Sequence, residues 1–163
     1  MRDAIKAHLS TRQVARVIYG AIIGLALVVA LEHYPPPAGA VVATLVGTAV
    51  AVGLAELYSD VIGFEVRTRR RIPHEHMMEL VEDVAAVVFG VAFPAVFFVL
   101  AAVGAMELDT AFDIAKWTGL GLIAFYGFCA ARLSGGTFHG SILHGLIAGL
   151  IGAALIALKA LLH

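Results

Sequence analysis

Cysteine is almost missing from this chain. Cys129 stands alone among 163 residues, which excludes an internal disulfide framework and any cysteine-rich metal site. Charge is scarce as well: Asp, Glu, Lys and Arg make up 14% of the sequence, against roughly 25% in a soluble domain. The 11 basic and 12 acidic residues nearly cancel, so no basic surface for nucleic acid is expected. A nucleophile–base–orienter spacing, a phosphate-cradling glycine loop and a redox motif are all lacking, and the chain is not expected to be an enzyme.

Apolar surface is what the chain has in excess. Hydrophobic residues are 61% of it and the mean hydropathy is +0.94. A chain this short leaves much of its surface outside any core, so that surface is expected to face lipid. Crossing a bilayer takes about 20 apolar residues in a helix, and the pattern predicts spans at about 14–31, 38–62, 84–106, 114–131 and 141–162. Pro35-Pro36-Pro37 separates the first two, and a charged connector, 63–83, separates the second and third. Pro94 falls inside the third and is expected to kink it. The fold class expected is an all-α, polytopic membrane bundle of five transmembrane helices in a single domain.

Orientation follows the positive-inside rule. With five spans, Arg2, Lys6, Arg12, Arg16, Arg67, Arg69, Arg70, Arg71 and Arg132 fall on one side, and Lys116 and Lys159 on the other. The N-terminus is therefore expected in the cytoplasm and the C-terminus outside, in the plasma (inner) membrane if the source is prokaryotic. The basic start, the apolar run from Val17 and the small residues Ala38-Gly39-Ala40 also have the layout of a signal peptide. Glu32, His33 and three prolines where a cleavage region should be relaxed favour an uncleaved first span.

Polar groups inside the apolar stretches are the candidate functional residues. Glu56 and Asp60 are four apart and share a helix face. Carboxylates in hydrocarbon are costly and mark ion paths by default. Two readings stand: a cation or proton path along the second helix, or a helix end where Asp60 reaches the headgroups and Glu56 pairs with an arginine. A second cluster, His74, His76, Glu79, Glu82 and Asp83, joined by Glu65, mixes imidazole and carboxylate in a way that suits first-row divalent metals. It also reads as an ordinary acidic helix N-terminus. His139 and His144, about 140° apart on a helix, are read as interface and packing residues. The run Arg67, Arg69, Arg70, Arg71 is a topology signal and a candidate contact for anionic lipid. Gly20-xxx-Gly24 and Gly145-xxx-Gly149 permit close helix approach, either within the bundle or at the seam of a homodimer.

The stretch 47–63, Gly-Thr-Ala-Val-Ala-Val-Gly-Leu-Ala-Glu-Leu-Tyr-Ser-Asp-Val-Ile-Gly, resembles the second helix of the vacuolar iron transporter family, where a Gly-Glu-Tyr-x-Ser-like segment lies near the cytoplasmic end. Glu56, Tyr58 and Ser59 stand in similar places, with Ala55 for the glycine. The stretch 119–163, with Ala131-Arg132-Leu133-Ser134-Gly135 between two apolar helices, is similar to that family's last two helices. The resemblance covers about two-thirds of the chain. It implies a homodimer and exchange of Fe²⁺ or Mn²⁺ for protons, the metal being substrate and no cofactor being implied. Of the family's transport residues only Glu56 carries over. The first helix has no acid at Tyr19-Gly20-Ala21-Ile22-Ile23-Gly24, and the family's large acidic cytoplasmic domain is replaced by 67–83. The function expected is a proton-coupled divalent-cation transporter with Glu56, Asp60, Glu65, His74, His76, Glu79, Glu82 and Asp83 as metal-handling residues. The alternative is a non-transporting scaffold, partner subunit or lipid-binding module on the same bundle.

Overall fold

Proline and glycine set the helix ends. The computed structural model describes residues 11–161, so the basic residues Arg2 and Lys6 lie outside it. Helix α1 spans Thr11–Leu31, and the Pro35–Pro37 run, which cannot supply helical N–H donors, ends the chain's first direction. Helix α2 spans Ala38–Thr68 and stops at Arg69, whose backbone takes the left-handed conformation (φ 53°) with its N–H on the Glu65 carbonyl. Helix α3 spans His74–Ala92, directly after Pro73, a favoured position for proline at a helix start. Helix α4, Ala95–Ala102, follows Pro94. Helix α5 spans Leu108–Leu133, and after a turn with Gly135 at φ 81°, α6 spans Phe138–Leu161.

Three helices are long and apolar enough to cross a membrane: Gln13–Leu31, Ala38–Thr68 and Leu108–Leu133. Helices α3 and α4 meet that standard together, bent by 48° at the break between them. Pro94 lacks the N–H that would bond the Gly90 carbonyl, which accounts for the bend. Helix α6 is apolar over Phe138–Ala154. The protein is thus an all-helical bundle, among the described residues, built of membrane-grade helices. The stretch 63–83, expected as a connector, is mostly helix: α2 continues through Thr68, α3 starts at His74, and only 69–73 lie between. Glu65, Arg67 and Glu79 are helix-compatible residues, so helix formation outruns the apolar pattern at this end.

Helix α1 is the centre of the bundle, packed on α3 and α5. Its contact with α3 depends on missing side chains. A Cβ on Gly90 would sit 2.6 Å from both the Val17 carbonyl oxygen and the Ala21 nitrogen, and Gly20 and Gly24 face the Val87 and Val91 carbonyls. The Gly20-xxx-Gly24 face is therefore occupied within the chain. The same holds between α5 and α6, where Gly127 faces Ala148 and Gly145 faces Ala124. The core is apolar in layers. Val87, Val91 and Ala49 form one cluster, Ala21, Leu25, Val29 and Ile123 a second. The third, at the opposite end from the Arg67–Arg71 run, holds Val28, Leu45, Phe98 and Phe112, with the two rings edge to face at 4.7 Å. Outward faces carry Val50, Leu54, Leu146 and Leu150, all more than half exposed, as lipid contact requires.

Candidate functional site

The polar centre lies where the start of α1 meets the second half of α2. Glu56 and Asp60 project from one face of α2 toward Arg16 of α1. One guanidinium serves both: Arg16 Nη1 donates to Glu56 Oε2, and Nη2 donates to Asp60 Oδ2 at 2.7 Å. The three side chains are 20%, 21% and 28% exposed, enough burial to make the charge-assisted bonds strong. A third acid comes from α3. Asp83 is buried at 5% exposure and its charge bears on Arg16. The charge of Asp83 thus bears on the same guanidinium that Glu56 and Asp60 share.

Beside this cluster, Gln13 Nε2 of α1 donates to Glu82 Oε2 of α3 at 3.5 Å. Gln13, Val17, Glu82, Ala86 and Tyr126 line a cavity of about 290 Å³ between α1, α3 and α5. The remaining acids and imidazoles spread out rather than converge. Glu65 is half-buried near the end of α2, where its carbonyl accepts the Arg69 N–H. His74 is exposed at the first position of α3. His76 Nδ1 lies 3.1 Å from Glu79 Oε2, and its ring packs on Phe64 at 4.7 Å. Among the described residues no group of three or more His, Cys, Asp or Glu is placed to hold a metal ion. Glu56, Asp60 and Asp83 are brought toward one point by Arg16, whereas His74, His76, Glu79 and Glu65 are not joined to that point.

The reading in which Glu56 pairs with an arginine matches this geometry, but the sequence did not single out Arg16, which reads as part of the basic N-terminal flank. A signal was available: it stands inside the apolar periodicity, between the buried Val14 and Val17. The other end of the bundle holds a second ionic fastening. Lys116 of α5 reaches Glu32, just past α1, and Asp113 at 3.0 Å. The lateral histidines stay local: His144 Nδ1 lies 3.0 Å from the Gly140 carbonyl, and His139 neighbours the Phe138 ring.

No protein-family model, curated protein or solved structure matches the chain.

Proposed function

We propose that the protein is a five-crossing membrane protein, N-terminus in the cytoplasm, that exchanges cations at its cytoplasmic end, with a divalent metal ion or a proton as the exchanged species. The observation that carries this reading is the sharing of Arg16 by Glu56 and Asp60, with the buried Asp83 in the same field. Carboxylates gathered at one half-buried point favour a bound cation or a shared proton. Arg16 is then the tethered cation that an incoming ion displaces or that holds the acids closed between cycles. The likeness of 47–63 to the iron-transporter helix supports the same assignment, and Fe²⁺ or Mn²⁺ is the metal it implies. The loops rich in arginine support this orientation.

The test is uptake of Fe²⁺, Mn²⁺, Co²⁺ and Zn²⁺ by proteoliposomes carrying the whole chain, read with an internal pH dye. The expected result is metal entry with proton movement in the wild type and loss of both in Glu56→Gln and Asp60→Asn. Metal entry that is unchanged in both variants removes the cluster from the path. Absence of any flux in folded protein removes the transport reading.

A second reading rests on a separate observation: the layers beyond the cluster are apolar, from Ala49 to Phe98. On this reading the ion pairs fasten α1 to α2, and the bundle is a non-transporting scaffold or lipid-binding module. It predicts no flux at all, together with a loss of thermal stability when Arg16 is replaced.

A further inference from the structure

We infer that the groove between the end of α5 and the start of α6 is a binding site for one anionic phospholipid of the leaflet at the basic end. The groove encloses about 670 Å³. Ala131, Ile147, Ala148 and Ile151 line it together with the polar Thr137 and His144. From Thr137 to Ile151 it follows α6 for about 20 Å at the helical rise per residue. That is close to one leaflet of a bilayer core roughly 30 Å thick. Its lining is mostly apolar, with the polar Ser134, Thr137 and His144 toward the α5–α6 turn, an arrangement that suits a diacyl lipid.

Charge at the mouth selects the headgroup. Arg132 is exposed, and its Nη1 donates to the carbonyl of Gly136 at 3.1 Å, which holds the guanidinium over a residue that lines the groove. The start of α6 adds the positive end of the helix dipole. No Asp or Glu occurs anywhere from Ile114 to His163; α6 has no acid, and those of α5, Asp109 and Asp113, lie in its first turns at the far end from Arg132. Glu82 faces the separate cavity between α1, α3 and α5. The opposite groove of the same helix pair, lined by Trp117, Leu120, Leu146 and Leu150, has no such guanidinium. A phosphodiester with net negative charge is therefore the headgroup that fits at Arg132, with the acyl chains along Ala148 and Ile151. This inference rests on the membrane placement and is independent of ion transport.

The experiment is native mass spectrometry of the full chain in detergent, titrated separately with phosphatidylglycerol and phosphatidylcholine of identical chains. The wild type is expected to prefer phosphatidylglycerol by about fivefold, the contribution of one basic residue near a membrane surface. Arg132→Gln, an exposed position, is expected to erase that preference while leaving phosphatidylcholine binding as it was. Ala130→Leu, which narrows the groove, is expected to lower binding of both lipids, with circular dichroism showing the helices retained. Equal affinity of the wild type for the two lipids overturns the inference. So does a preference that survives Arg132→Gln, or one abolished by Arg70→Gln/Arg71→Gln instead. A second copy of the chain in the groove would appear as a dimer mass removed by Ala130→Leu, and would overturn it as well.

Discussion

Lys116 Nζ lies 2.5 Å from Glu32 Oε1, a pair separated by 84 positions in the chain. It joins the far end of α1 to the first turns of α5, and Asp113 shares the same ammonium. Lys116 is 18% exposed and Glu32 32% exposed, so solvent screens the pair in part. Lys116→Met is expected to lower stability by about 1 kcal/mol. In a double-mutant cycle, Glu32→Gln is expected to cost much less in the Lys116→Met background than in the wild type. Thermal unfolding in detergent micelles measures both, and additive costs would show that the pair contributes nothing.

The Arg16 cluster makes a larger prediction. Arg16→Gln leaves Glu56 and Asp60 facing each other across a half-buried space without their shared cation. A loss of about 1–3 kcal/mol is expected, below the cost of breaking a fully buried pair because the groups keep some water. The triple change Arg16→Gln/Glu56→Gln/Asp60→Asn is expected to recover most of that loss. Chemical unfolding in a mild detergent reads the difference between the single and triple variants. A triple variant no more stable than Arg16→Gln would mean that Arg16 acts through packing of its stem alone.

Close approach of α1 and α3 gives a contrast between two glycines. Gly90→Ala places a methyl 2.6 Å from backbone atoms of α1, and backbone cannot step aside as a side chain end can. It is expected to cost about 1–3 kcal/mol. Gly47→Ala on α2 meets nothing within 4 Å and is expected to stabilise by up to about 1 kcal/mol through helix propensity. Melting temperatures of the two variants moving the same way would refute the packing assignment.

Arg69 ends α2 at φ 53°, a conformation in which an L side chain crowds the following carbonyl at a cost of about 1–2 kcal/mol. Arg69→Gly is expected to raise the melting temperature, while Arg70→Gly is not. A destabilised Arg69→Gly protein would show that the arginine side chain contributes more than its backbone strain costs.

Helices and their breaks were legible in the sequence because their causes are local. Three successive prolines, Pro94 and the apolar runs act within a few residues of themselves, and the kink at Pro94 follows from one missing donor. The extension of α2 through Thr68 was not legible from hydropathy, because a helix continues wherever its backbone bonds can form. Glu56 and Asp60 could be singled out by their cost in hydrocarbon. An arginine partner for Glu56 could be anticipated but not which arginine, since Arg16 is distant in the chain and meets them only through the antiparallel pairing of α1 with α2. The Gly20-xxx-Gly24 spacing signalled a close approach but not the identity of the approaching helix, which Gly90 settles within the chain. The histidines and acids of 74–83 looked like one cluster in sequence, yet helix rotation sends Asp83 inward and leaves Glu79 outside.

The break at Pro94 divides labour along the bundle. Below it, α3 is geared to α1 through bare backbone contacts, in the part of the bundle tied by Arg16. Above it, α4 packs on α2 and α5, in the part tied by Lys116. The 48° elbow lies in the α3–α4 path alone, whereas α1 and α2 run without a break past the Arg16 cluster. Two routes therefore join the ends of the bundle, one unbroken along α1 and one bent at Pro94.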